Sequence, residues 1–76
     1  MKSQKEFRPA LRIIGEKIYH TRLLKNMTTK QIAADVFLSP EAYRNIEKGE
    51  SDPSVTTLLL IAQVLNIKGH DLIKDL

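Results

Sequence analysis

Two helix-start signals stand eleven residues apart, at Thr28 and Ser39, which leaves room between them only for a short helix and a tight turn. In Thr28-Thr29-Lys30-Gln31 the first threonine reads as an N-cap and Gln31 as its reciprocal partner, a capping box. Met27 and Ile32 fall at the positions where apolar side chains staple the incoming chain to the first turn. Ser39-Pro40-Glu41 gives the second signal in another form. Serine is the N-cap, proline takes a position whose N–H would be unpaired anyway, and a carboxylate sits near the positive end of the helix dipole. Leu38 and Tyr43 repeat the staple, and only Phe37 and Leu38 separate the end of one helix from the cap of the next. The first of the pair spans about residues 28–36 and buries Ile32, Ala33 and Val36. The second spans about 39–48, turns Tyr43, Ile46 and Glu47 inward, and stops at Gly49, the expected left-handed residue. Its outer side shows Glu41, Arg44, Asn45 and Lys48.

Helical spacing continues on both sides of this unit. Leu11, Ile14, Ile18 and Arg22 form one stripe, predicting a first helix from about Pro9 or Ala10 to Lys25, with Asn26 as a left-handed cap. After the polar loop Glu50-Ser51-Asp52-Pro53, Ser54 caps a fourth helix with Leu58, Ile61, Ala62 and Leu65 on its inner side. Asn66 ends that helix, and Gly69 to Leu76 fits a short fifth one. No alternating strand pattern occurs. The expected fold is all-α, a compact five-helix bundle. A chain of 76 residues buries only about 60% of the surface it exposes unfolded, so one domain is expected: a basic N-terminal arm over 1–9 and a single domain over 10–76.

Chemistry is narrowed mainly by what is missing. There is no cysteine for a disulfide or thiolate site, and His20 and His70 stand fifty residues apart without a third ligand, so no metal or cofactor is expected. Tyr19, His20, Ser39 and Tyr43 have no partners at catalytic spacing, and neither a phosphate loop nor a carboxylate pair appears, so the chain is not expected to be an enzyme. No small-molecule ligand is evident. No run of about 18 apolar residues is present and the charged stretch from Met1 to Pro9 has no apolar core, which predicts a cytoplasmic protein with no membrane partner. Net charge is +3, unevenly spread: residues 1–38 hold eight basic and three acidic side chains (+5), and residues 39–76 hold four and six (−2). The basic half suits a polyanion; an ordinary solvated surface is the alternative.

Particular residues go further. Gly15 to Ile18, Arg22, Met27-Thr28, Ile32-Ala33, Ser39, Ile46-Glu47, Gly49 and Pro53-Ser54 fall in the order of the phage repressor/Cro-like helix-turn-helix family, the Xre type. Ile32 to Ser39 looks like its second helix and turn, Ile46-Glu47-Lys48-Gly49 resembles the end of its recognition helix, and Pro53 to Leu58 is similar to its entry into the fourth helix. The resemblance covers roughly residues 12–73. It implies a lambda-repressor-like DNA-binding domain acting as a sequence-specific transcriptional regulator, a repressor by kind, with the helix starting at Ser39 in the major groove of double-stranded DNA.

Carried over by position, Pro40, Glu41, Arg44 and Asn45 face the bases or the groove, Thr29 matches a phosphate contact, and Ser39 and Lys48 lie near phosphates. Lys30 joins them, since helix N-termini favour phosphate. Asn45 suits adenine, Arg44 guanine or phosphate, and Glu41 cytosine N4, although Glu41 also reads as a first-turn carboxylate and Arg44 as a solvated side chain. Arg22 and Glu47 both fall on inner stripes, where an unpaired charge costs several kcal/mol, and the resemblance implies that they pair.

Three positions depart from the family pattern. Thr29 replaces a glutamine, Thr21 a leucine, and Phe37 the turn glycine. Where a left-handed backbone is needed, phenylalanine costs roughly 1–2 kcal/mol, so either the turn differs or burial of the ring offsets the strain. From Ser39 to Glu50 the charge is −1, which keeps open an alternative: a protein-interaction module of the same fold, antitoxin-like or a co-regulator, with little affinity for DNA. Leu59, Leu60, Val64, Leu72, Ile73 and Leu76 form an apolar stripe expected to be exposed and to join a homodimer through the fourth and fifth helices; the alternative is that they close the core of a monomer, since 76 residues offer few other apolar groups.

Overall fold

A computed structural model of the chain describes residues 8–74 and residue 76. These residues form α1 (Arg8–Leu24), α2 (Thr29–Asp35), α3 (Pro40–Glu47), α4 (Val55–Val64) and α5 (Gly69–Ile73), with no strand among them. The starts follow the local signals. Thr28 Oγ1 accepts from the Gln31 amide at 3.1 Å while Gln31 Oε1 accepts from the Thr28 amide at 2.8 Å. Ser39 and Ser54 accept in the same way from the amides of Ala42 and Thr57, each at 3.1 Å. Each cap satisfies an amide that the helix itself leaves unpaired.

Four helix ends share one closure. After α1, α2, α3 and α4 the second residue past the helix is left-handed: Asn26 (φ 57°), Phe37 (φ 62°), Gly49 (φ 72°) and Asn66 (φ 59°). In each case the following amide reaches back to a carbonyl five residues earlier. The bonds are Met27 N–H to Arg22 O at 3.2 Å, Leu38 to Ala33 at 2.9 Å, Glu50 to Asn45 at 2.9 Å and Ile67 to Ala62 at 2.9 Å. This is the Schellman arrangement, and it returns an apolar residue to the core behind three of the four left-handed positions. Met27, Leu38 and Ile67 are those residues.

The core lies where α1 crosses α3 and α5 and where α2 and α4 close the other side. Ile18, Ile32, Tyr43, Ile61 and Leu65 are fully buried there. Two glycines permit the α1–α3 crossing. A Cβ on Gly15 would collide with the carbonyl oxygens of Ile46 and Glu47, and one on Gly49 would come within 2.7 Å of Arg12 Cα. Gly49 also needs its positive φ, so both demands select the same residue.

Some expectations need correction. Leu72 is not on an exposed stripe. It is 1% exposed and completes the core from α5, because a chain this short has few other apolar groups to close that side. Leu60 and Val64 are half-buried against the core, while Leu59, Ile73 and Leu76 do remain exposed. The last helix stops at Ile73 instead of reaching Leu76; Lys68 gives it no side-chain cap, and it is held by buried Leu72 and by the bond from Lys17 Nζ to the Asp71 carbonyl at 3.0 Å. At the other end α1 already includes Arg8 and Pro9, and residues 1–7 of the expected arm, with Lys2 and Lys5, lie outside the described residues.

Phe37 meets neither outcome foreseen for it. The backbone is left-handed and the ring is 85% exposed, so the turn is kept and burial offsets nothing. Replacing it should therefore help the isolated domain. Phe37→Gly is expected to stabilise by about 1 kcal/mol, which for a domain of this size raises Tm by roughly 4–8 °C. Thermal unfolding followed by circular dichroism checks this, and an unchanged or lowered Tm would mean that the ring makes compensating contacts.

Candidate nucleic-acid interface

The unit α2–turn–α3 presents one side of α3 to solvent and secures the other. Tyr43 and Ile46 are buried beneath it. Glu47, on the same side as Tyr43 one turn earlier, meets Arg22 of α1. Arg22 Nε donates to Glu47 Oε2 at 2.6 Å and Nη2 donates to Oε1 at 3.2 Å, a two-pronged pair with both side chains about nine-tenths buried. The remaining prong, Nη1, donates to the Met27 carbonyl at 2.9 Å. The Tyr43 hydroxyl donates to Glu47 Oε2 as well. Tyr19 lies with its ring centre 5.4 Å from the Arg22 guanidinium carbon.

The pair is the one that the family resemblance implied for these two inward-facing charges. Tyr43 in the cluster is new. A buried tyrosine needs a partner for its hydroxyl, and the i, i+4 spacing of Tyr43 and Glu47 was the available signal. Burial, and then the hydrogen bond to Glu47, push the Tyr43 phenol well above its ordinary value. The hydrogen bond to Glu47 likewise raises Arg22, against the opposing effect of burial.

The residues singled out for contact are distributed along the exposed side. Glu41, Arg44 and Lys48 of α3 and its cap are exposed, as are Ser39 at the start and Lys30 on α2. Pro40, Asn45 and Thr29 are half-buried. Asn45 sits at the edge of a groove of about 240 Å³ that it lines with Leu38, Ala42, Ser51, Pro53 and Thr57. With Glu47 neutralised by Arg22, the exposed charges from Ser39 to Glu50 are Glu41 and Glu50 against Arg44 and Lys48, a balance of zero. Basic side chains exposed nearby in sequence are Arg12 and Lys25 on and after α1, and Lys30 on α2. Arg12 is also close in space, its backbone packing on Gly49 just beyond α3. Among the described residues no cluster of three metal-binding side chains occurs, and no helix is long and apolar enough to cross a membrane.

The sequence profile described as Helix-turn-helix matches residues 18–72. Comparison with curated proteins and with solved structures yields no match.

Removing one member of a buried charge pair strands the other, so Glu47→Ala is expected to cost about 3 kcal/mol or more of unfolding free energy. Urea denaturation measures this, and a loss under about 0.5 kcal/mol would exclude the pairing. The Tyr43 phenol adds a pH dependence. Its native form holds the proton above the ordinary value of 10.0, so the unfolded chain ionises first as pH rises. Stability from this group is complete below that value and declines above it. The urea midpoint should therefore fall between about pH 9 and pH 11 more steeply in the wild type than in Tyr43→Phe.

Proposed function

Because this chain belongs to the helix-turn-helix family of Xre, lambda-repressor-like DNA-binding regulatory domains, we propose that it is a sequence-specific repressor of transcription that reads the major groove with α3. The placement of α3 carries this reading. Its rear is clamped to α1 through Arg22 and Glu47, and its front leaves Glu41, Arg44 and Lys48 open to a duplex.

In this reading the start of α3, Pro40 and Glu41, approaches base edges, with Glu41 suited to cytosine N4. Arg44 pairs with guanine or phosphate, and Asn45 reaches adenine from the groove edge. Ser39 and Lys48 sit at phosphates near the two ends of α3, while Thr29 and Lys30 meet the backbone beside α2. Since the exposed charge of α3 sums to zero, the attraction to phosphate leans on the basic residues of the N-terminal segment, Lys2, Lys5, Arg8 and Arg12, together with Lys25 and Lys30. The protein acts as a homodimer through α4 and α5. Val55, Leu59 and Ile73, 72%, 54% and 49% exposed around a shallow apolar groove between these helices, support that arrangement. Two-fold symmetry then calls for half-sites about 34 Å apart.

The neutral front of α3 favours one other reading, a protein-interaction module of the same fold. A gel-shift titration in salt separates the two, and absence of binding to any duplex at about 50 mM salt supports the module.

Selection of duplexes from a random pool is expected to return a two-fold symmetric site. Against that site Lys48→Ala should weaken binding to all sequences alike and reduce the salt slope by about 1, whereas Arg44→Ala should lose about 1–3 kcal/mol at particular base pairs. Sedimentation should show twice the 8.7 kDa chain mass, and Ile73→Glu should return the monomer.

A further inference from the structure

Of the four left-handed closures, three use residues that tolerate the conformation, Asn26, Gly49 and Asn66. Phe37 is the exception, and it holds a strained backbone while its ring stands 85% exposed. Its neighbours do the packing: Val36 is 2% exposed and Leu38 lies against the core. Among the described residues the phenyl ring is left largely uncovered. A side chain that costs the fold and returns nothing to it points to a role outside it.

Its position says where that role lies. Phe37 is two residues ahead of Ser39, whose hydroxyl caps α3. The closure turns Leu38 inward through its bond to Ala33 and leaves Phe37 as the projecting side chain of the turn. The ring is thus an exposed apolar group two residues from the cap of α3.

We propose that Phe37 is itself a DNA-contacting residue, its ring packing on the 5-methyl group of a thymine at the edge of the site bound by the start of α3. This rests on the reading of α3 as the groove helix and extends it to the turn. Thymine methyl is the apolar feature of the major groove, and phenylalanine is among the side chains suited to it. A front of zero net charge gains from such a contact, because apolar packing adds affinity without phosphate attraction.

The test uses the full chain and the duplex that the wild type selects from a random pool. Phe37→Gly and Phe37→Asn both suit the left-handed turn and remove the ring, so neither compromises folding. Both should be at least as heat-stable as the wild type yet bind the selected duplex about fivefold more weakly or worse. Replacing each thymine in turn by uracil, which lacks only the methyl group, should weaken the wild type at one position per half-site and leave both variants indifferent there. Equal affinity of variants and wild type, or the same uracil profile in all three, overturns the contact. If those outcomes occur while Arg44→Ala still weakens binding, only the ring contact fails and α3 keeps its role. A pool from which the wild type selects nothing overturns both readings, and retention of an apolar protein ligand by the wild type but not by Phe37→Asn then assigns the ring to a protein surface.

Discussion

Arg22 is the residue through which the outer side of α3 acquires a defined orientation. Its guanidinium engages both carboxylate oxygens of Glu47, its third nitrogen holds the Met27 carbonyl, and its own carbonyl accepts from the Met27 amide. One side chain thus ends α1, pins the connection to α2 and locks α3. An apolar contact would bury as much surface while tolerating rotation of α3. A planar fork meeting a carboxylate sets direction as well as distance. The arrangement is sustainable because it is complete: among the described residues no buried side-chain nitrogen or oxygen lacks a partner. A half-satisfied cluster here would cost more than it contributed.

The repeated Schellman closure explains how so short a chain holds several helices. Each closure ends a helix and reverses the chain, and three of the four return the next residue inward, with Met27, Leu38 and Ile67 as the returning side chains. Short helices are marginal alone, and these are sustained by the contacts that the closures direct. At Gly49 the closure coincides with the passage of α1, so the end of α3 and the crossing of α1 are one constraint.

The exposed front of α3 carries balanced charge. Glu41 and Glu50 offset Arg44 and Lys48, and the pairing of Glu47 with Arg22 removes a further charge of each sign. The exposed basic side chains Arg12, Lys25 and Lys30 lie on α1, just after it and on α2.

Elements whose signals lie within four or five residues were legible from the chain alone. Thr28, Ser39 and Ser54 declared the helix starts and Asn26, Gly49 and Asn66 the ends, whereas the meeting of Arg22 and Glu47, 25 residues apart, was implied by the family resemblance. What the sequence could not settle depends on how helices cross. Leu72 and Ile73 are adjacent and equally apolar, yet one closes the core and the other faces solvent. Glu47 is in reach of Tyr43 on its own helix but meets Arg22 only because α1 passes alongside, and Phe37 is left bare because Leu38 takes the inward place behind it. Caps and turns are bonds between near neighbours, so local order specifies them. Burial is shared among segments remote in sequence, and only their assembly decides which of two similar side chains is covered.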